Sequence, residues 1–219
     1  NVDIIVLRHS ASGAAEYLSG VVSAGIVNAG DGMHAHPTQA LLDVFTMLEY
    51  KKKIAGLKVA IVGDINHSRV ARSNIQALKK LGAQVTLCAP PTMILPYFKE
   101  LGVEISCDIK DVLKNSDVIN VLRIQKERID ENIMPSVAEY REYFGITKEK
   151  LVRFAKPGLL ILHPGPVNRG VELSPDVLDA GLLEKNIYSV VLNQVTNGLA
   201  IRMAALYLVA GALASKKIK

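Results

Sequence analysis

The sequence has no tryptophan, and aromatic residues make up only 5% of it. A core built without large rings must be filled by aliphatic side chains, which suits buried parallel strands and the helices that cover them. Cysteine is almost as scarce: Cys88 and Cys107 are the only two, each in an apolar, strand-like run and without metal-ligand spacing. Both are expected to be buried thiols of a protein in a reducing compartment. The five histidines show no H-x-x-x-H or similar spacing, so no metal is expected. No secretory signal is visible. The apolar stretch from Leu199 to Ala214 is short for a membrane span and contains Arg202, so a buried C-terminal helix is expected there.

Concentrated charge is also missing. The formal net charge is +5, yet the basic residues are dispersed, and the densest clusters are Lys51-Lys52-Lys53 and Lys216-Lys217. Neither is interleaved with aromatics as a single-strand nucleic-acid groove would be, so they read as solvated surface, and neither nucleic acid nor membrane is an expected partner. A mild positive field still attracts small anionic substrates. Val59-Ala60-Ile61-Val62-Gly63-Asp64 begins like a dinucleotide-binding strand, but the G-x-G-x-x-G glycines that let the backbone approach a pyrophosphate are absent. No cofactor is therefore expected. There is no initial Met, and Asp3-Ile4-Ile5-Val6-Leu7 reads at once as a core strand, which leads us to expect a missing upstream segment.

What is present is ordinary for a globular protein of one or two domains: 219 residues, 49% hydrophobic and 21% charged. The first fifty residues read as a strand (Ile4 to Leu7), a short helix (Ala14 to Leu18), a second strand (Gly25 to Asn28), a turn at Gly30-Asp31-Gly32, and a helix opening at His36-Pro37. Proline suits a first helical position. In that helix Leu41, Val44, Phe45 and Leu48 follow helical spacing and are expected to form its buried face. Beyond Gly56 the pattern becomes regular. Strands are expected at Lys58–Val62, Gln84–Ala89, Val103–Cys107, Val118–Leu122 and Leu159–Leu162, and helices at Arg69 to Leu81, Thr92 to Leu101, Ile109 to Lys114 and Lys148 to Phe154. Alternating apolar strands and amphipathic helices predict a parallel α/β sheet covered on both faces. A last helix is expected from Thr196 to Ala214, capped by Thr196 or Asn197 and packed across a domain interface. The domain boundary is expected near Glu49 to Lys53.

Polar groups gather where these strands end, the place where such sheets bind ligands. Arg8 and His9 follow the first strand, Gly63 to Arg69 the next, Arg123, Gln125 and Lys126 another, and His163-Pro164-Gly165-Pro166 the last. Three strand-end arginines suit anions, because a guanidinium fork matches carboxylate and phosphate oxygens. His36 and Gln39 share one face of a helix start whose free N–H groups favour negative charge, so an imidazole and a carboxamide can grip a small carbonyl compound there. Each residue also has an ordinary reading. Arg8 fits a surface ion pair, His36 a helix cap, Arg123 a solvated turn, and Pro164-Gly165-Pro166 a rigid turn. His34 and His67 read as plain loop residues. Arg69 opens a helix, where the dipole disfavours a cation unless an anion is near.

Five segments in order resemble the aspartate/ornithine carbamoyltransferase family, over about Asp3 to Ala214. His36-Pro37-Thr38-Gln39 is similar to its H-P-x-Q motif in the aspartate-type form, and Val6-Leu7-Arg8-His9 to the arginine segment upstream. Gly63-Asp64 through Ser68-Arg69 and Arg123-Ile124-Gln125-Lys126-Glu127-Arg128 resemble the two aspartate-binding loops, and Leu162-His163-Pro164-Gly165-Pro166 the H-P-x-P loop. Ornithine-type members usually have Cys where Thr38 stands and a Ser-Met-Gly loop, and neither is found here.

The resemblance implies two Rossmann-like parallel α/β domains linked by helices. Residues 1–48 would be the end of the carbamoyl-phosphate domain, 49–195 the aspartate domain, and 196–219 a helix packing back on the first. It implies transfer of the carbamoyl group from carbamoyl phosphate to the α-amine of L-aspartate, in the cytoplasm, as a step of pyrimidine synthesis. Arg8 and His36 would stabilise charge on the carbonyl oxygen, and Gln39 with the carbonyls of Pro164 and Gly165 would hold the NH2. Arg69, Arg123 and Gln125 would take the two carboxylates of aspartate. Orientation and charge stabilisation suffice for such a step, so neither metal nor covalent nucleophile is needed. The family's Ser-x-Arg-Thr-Arg phosphate cradle, and the loop that reaches a neighbour's site in its homotrimer, would lie upstream of Asn1, so these 219 residues alone are expected to be inactive. Whether regulatory or dihydroorotase chains bind stays open. The alternatives are a carbamoyltransferase for another amino acid and a non-catalytic amino-acid-binding homologue.

Overall fold

The computed structural model describes residues 2–124 and 136–217. Two sheets organise them into an α/β fold. The smaller pairs β1 (Ile4–His9) in parallel with β2 (Gly25–Asp31), and helix α1 (Ala14–Val21) connects the two strands. The turn after β2 is held by Asp31, whose carboxylate accepts from the backbone N–H groups of Gly13 at 2.6 Å and Ala35 at 3.1 Å. Helix α2 (Pro37–Lys51) then leaves with His36 at its N-cap and Pro37 in its first turn.

The larger sheet contains β3 (Lys58–Val62), β4 (Gln84–Cys88), β5 (Glu104–Ser106), β6 (Val118–Val121), β7 (Leu160–Leu162), β8 (Leu182–Leu183) and β9 (Ile187–Ser189). Their spatial order is β5-β4-β3-β6-β7-β9-β8, and every neighbouring pair is parallel except β8 with β9. From β3 the chain runs outward to β5, then returns past β3 to β6 and β7. The strand order thus reverses between β3 and β6, and the crevice beyond the carboxyl ends of such strands is the natural ligand position of an open parallel sheet. Aliphatic side chains fill the centre: Val59, Ala60, Ile61 and Val62 of β3 and Val118, Ile119 and Val121 of β6 are all buried.

Helices α3 (Arg69–Lys80), α4 (Ile109–Asn115), α5 (Val137–Phe144), α6 (Lys148–Phe154) and α7 (Pro175–Leu178) lie between these strands, and α8 (Val191–Lys217) follows β9. The Ser68 side chain caps α3 by accepting from the Ala71 N–H at 3.1 Å, and the Asp108 side chain caps α4 through the Lys110 N–H at 2.8 Å.

Several expectations need correction. Residues 92–101 do not form one helix but two 3-10 turns, Pro91–Met93 and Pro96–Leu101, because Pro96 lacks the N–H that a continuous helix needs at that point. The final helix starts at Val191, so Thr196 and Asn197 are interior residues and not caps. That helix is not buried either: Val195, Leu199, Met203, Tyr207 and Leu208 are exposed, while its first turns point Gln194 and Asn197 inward. It rests against α2 and also touches β1, β2 and β7. By length and composition Val191–Ser215 also meets the requirement for a membrane span. Its inward amides, however, bond to α2: Asn197 Nδ2 reaches Thr46 Oγ1 at 2.9 Å and Glu49 Oε2 at 2.5 Å. In α2 the expected apolar face holds only at Val44. Leu41, Phe45 and Leu48 are exposed, and the buried side carries Thr38, Gln39, Asp43 and Thr46 beside Leu42, Val44 and Met47. Cys88 is buried, but Cys107 is exposed, since it follows the short edge strand β5. The elements α5, α7, β8 and β9 have no counterpart in the sequence reading.

Candidate active site

The crevice at the strand reversal holds a cavity of about 400 Å³. Every candidate site residue that the structure describes lines it. Arg8 comes from the end of β1, His36 and Gln39 from the start of α2, Arg69 from the start of α3, Arg123 from just beyond β6, and Pro164 and Gly165 from the loop after β7. Gln125 lies outside the described residues. Sequence reasoning missed Ser68 and Arg202 as lining residues. Ser68 was noticed only beside Arg69, and Arg202 only as a charge in an apolar stretch. No local signal marked it: Arg202 lies five residues beyond Asn197, off the face that turns Gln194 and Asn197 inward.

With Arg8, Arg69, Arg123 and Arg202 on its wall and no carboxylate among the described lining residues, the cavity is built for an anion. His36 sits within this field. Burial, and then the charges of Arg69, Arg202 and Arg8, lower its pKa from 6.5 to about 4. At neutral pH it is therefore an uncharged imidazole, able to donate one hydrogen bond without acting as an acid. Ser73 Oγ on α3 accepts from the His36 backbone N–H at 2.8 Å, which ties the start of α2 to the larger sheet's first helix. Arg69 crosses in the same direction, donating from Nη1 to the Gly32 carbonyl at 3.1 Å.

The loop after β7 is held from both sides. The His163 N–H donates to Gln194 Oε1 at 2.8 Å, and His163 Nδ1 accepts from the Gly165 N–H at 2.9 Å. That acceptor role places the neutral ring's proton on Nε2. Burial, with Arg123 nearby, lowers the His163 pKa to about 3. Further along, the buried Glu172 carboxylate accepts from the Ile124 N–H at 2.7 Å and from Asn168 through its backbone at 2.9 Å and its Nδ2 at 2.6 Å. One carboxylate thereby joins the Arg123 strand end to the Pro164–Pro166 loop. Outside the cavity, His34 and His67 pair locally with Asp31 and Asp64, each at 2.9 Å, and His9 Nδ1 accepts from the Ala11 N–H at 2.9 Å.

Comparison with known proteins identifies the family. Residues 55–209 match the family model described as aspartate/ornithine carbamoyltransferase, Asp/Orn binding domain, and residues 1–49 match its carbamoyl-P binding domain. The aspartate carbamoyltransferase catalytic subunit of Syntrophobacter fumaroxidans is 55% identical over 206 residues, covering 94% of this chain and 65% of the relative. That of Carboxydothermus hydrogenoformans is 52% identical over 210 residues, covering 96% and 65%. The chain thus spans a little under two thirds of these relatives' length. Among solved structures, Trypanosoma cruzi aspartate transcarbamoylase in complex with carbamoyl phosphate superposes with a TM-score of 0.81 at 29% identity, over 94% of this chain and 65% of that one. The same enzyme with N-(phosphonacetyl)-L-aspartic acid gives 0.79 at 30%, again over 94% and 65%. With both family models satisfied and the fold shared at this level, the chain belongs to the aspartate/ornithine carbamoyltransferase family.

Proposed function

We propose that this chain provides the aspartate-binding part and much of the catalytic wall of an aspartate carbamoyltransferase. The reaction is attack of the α-amine of L-aspartate on the carbonyl carbon of carbamoyl phosphate, giving N-carbamoyl-L-aspartate and phosphate. The observation that carries this reading is the meeting of Arg8, His36, Gln39, Arg69, Arg123 and the Pro164–Gly165 backbone, from separate elements, around one cavity with no carboxylate among its described lining residues. As the amine attacks, negative charge builds on the carbonyl oxygen. Arg8 and the neutral His36 stabilise it as preorganised donors, a contribution of a few kcal/mol per donor in sites of this kind. Gln39 and the carbonyls of Pro164 and Gly165 accept from the carbamoyl NH2. Arg69 and Arg123 take the carboxylates of aspartate, with Gln125 assigned to the same group by sequence alone. Closure of the crevice would exclude water from the reacting groups.

The finer architecture belongs to the same proposal: two Rossmann-like domains, with residues 1–48 part of the first, 49–195 the second, and 196–219 packing back on the first. A two-stranded parallel sheet with exposed side chains on β1 supports this, because parallel strands are ordinarily covered on both faces. Homotrimeric assembly and a cytoplasmic location rest on family membership. The test is a colorimetric carbamoyl-aspartate assay on the full-length protein, with aspartate and ornithine offered separately. Product from aspartate alone is expected. Product from ornithine, or from neither, would overturn the assignment.

A further inference from the structure

Asp43, on the inner side of α2, is completely buried. Its Oδ1 accepts from Gln39 Nε2 at 2.9 Å and from Gln194 Nε2 at 2.8 Å. Its Oδ2 accepts from Asn74 Nδ2 at 2.8 Å and from Asn120 Nδ2 at 2.9 Å. Four carboxamides, from α2, α8, α3 and β6, thus converge on one carboxylate, and none of these neighbours is a cation. Such a charge costs more to bury than an apolar side chain of similar size. The surroundings add to the cost: Asn74 Oδ1 and Asn120 Oδ1 are themselves buried without partners, so both residues serve Asp43 as donors only. A group kept in the core on these terms calls for a role besides packing.

The role follows from what a carboxylate can do. It only accepts, whereas a carboxamide can turn either its oxygen or its nitrogen toward a ligand. Because Gln39 Nε2 is committed to Asp43, its Oε1 is the end left for the cavity that Gln39 lines. Because Gln194 Nε2 is committed to the same oxygen, its Oε1 faces the His163 N–H, one residue before Pro164 and Gly165.

We propose that Asp43 is a positioning residue. It fixes the Gln39 carboxamide with its oxygen toward the cavity and, through Gln194, holds the backbone of the Pro164–Gly165 loop, so that a single buried carboxylate sets both groups of acceptors for a substrate NH2. The inference rests on the reading of Gln39, Pro164 and Gly165 given above. Such supports decide whether contacting groups are held within the roughly 0.5 Å that productive geometry demands.

The test is a double-mutant cycle in the full-length protein: Asp43→Asn, Gln39→Leu and the pair, read as kcat, both KM values and the thermal midpoint. The Asp43→Asn side chain keeps the shape but presents an amide at one end, so the orientation of Gln39 is no longer dictated. Its new N–H groups can face Gln39 and Gln194 once those amides turn their oxygens toward it, which withdraws the Gln39 oxygen from the cavity. The expected result is an Asp43→Asn midpoint equal to or above wild type, with kcat about tenfold lower and the aspartate KM little changed. In the Gln39→Leu background the same substitution costs less, about threefold in kcat, because only the Gln194 arm to the Pro164–Gly165 loop remains to be lost. Equal losses in both backgrounds, or wild-type kcat in Asp43→Asn, would overturn the proposal. Wild-type kcat in Gln39→Leu would instead overturn the role given to Gln39. Should Asp43→Asn not fold, the wild-type chain still decides by NMR: resolved, slowly exchanging Gln39 amide protons are expected, and rapidly averaged ones refute the constraint.

Discussion

The Arg69 guanidinium lies directly over Gly30: a Cβ built on that glycine would sit 2.7 Å from Arg69 Nε. Gly30 also has a φ of +116°, a backbone conformation that residues with a side chain rarely adopt. The glycine is thus the floor on which an arginine of the larger sheet rests against the smaller one. Gly30→Ala is expected to cost about 1–3 kcal/mol of stability through backbone strain. It should also displace the guanidinium, raising the aspartate KM about tenfold with a smaller change in kcat. Steady-state kinetics together with urea unfolding separates the two effects. An unchanged aspartate KM would show that Arg69 does not act from this position.

The partly buried His36 and the buried His163 give the protein a stability slope on the acid side. The pKa of His36 falls from 6.5 unfolded to about 4 folded, so between these values the unfolded chain binds more protons. Stability is then full above pH 6.5 and is lost as the pH drops through this window. His163, lowered to about 3, acts in the same sense. Asp43 and Glu172, whose carboxyls burial pushes up, act in the opposite sense, which makes a difference measurement necessary. Between pH 7 and 4.5, His36→Asn is expected to lose roughly 2 kcal/mol less than wild type. Urea midpoints at the two pH values are the readout.

Glu172→Gln tests the link between the Arg123 strand end and the loop after β7. The substitution puts an amide where Oε2 accepts from the Asn168 N–H, so two donors face each other. A loss of about 1–3 kcal/mol in unfolding free energy is expected. Because Oε1 still serves the Ile124 N–H, the strand end should stay in place, and the aspartate KM should rise only a few-fold.

The cysteines should separate by reactivity. Cys88 is buried and burial pushes its thiol up to about 12, whereas Cys107 is exposed. With a thiol-specific disulfide reagent at pH 8, Cys107→Ser should remove one native-state equivalent and Cys88→Ser none, while in denaturant each substitution removes one.

The parts of the fold legible in the sequence were those governed by local pattern. The apolar strands β3, β4 and β6 stand out because both faces are covered, and the residues bounding the cavity could be found because strand ends in a parallel sheet are ligand positions. What was not legible depends on distant partners. The stripe of Leu41, Phe45 and Leu48 has good helical spacing, yet the side of α2 that is buried is chosen by Asp43 and its four amides from elsewhere. Arg202 looked like a stray charge because its surroundings come from the start of α2 and not from its own helix. Pro96 should have prevented the helix expected over residues 92–101.

The bond from Gln194 to Asp43 joins residues 151 positions apart. Closing so long a loop costs several kcal/mol of chain entropy before any contact offsets it. A chain emerging from the ribosome therefore makes Asp43, His36 and Gln39 early, but leaves the carboxylate short of one donor until the last helix arrives. Assembly of the cavity is consequently among the final events of folding, and nascent or C-terminally clipped chains can have a formed central sheet well before they have a site.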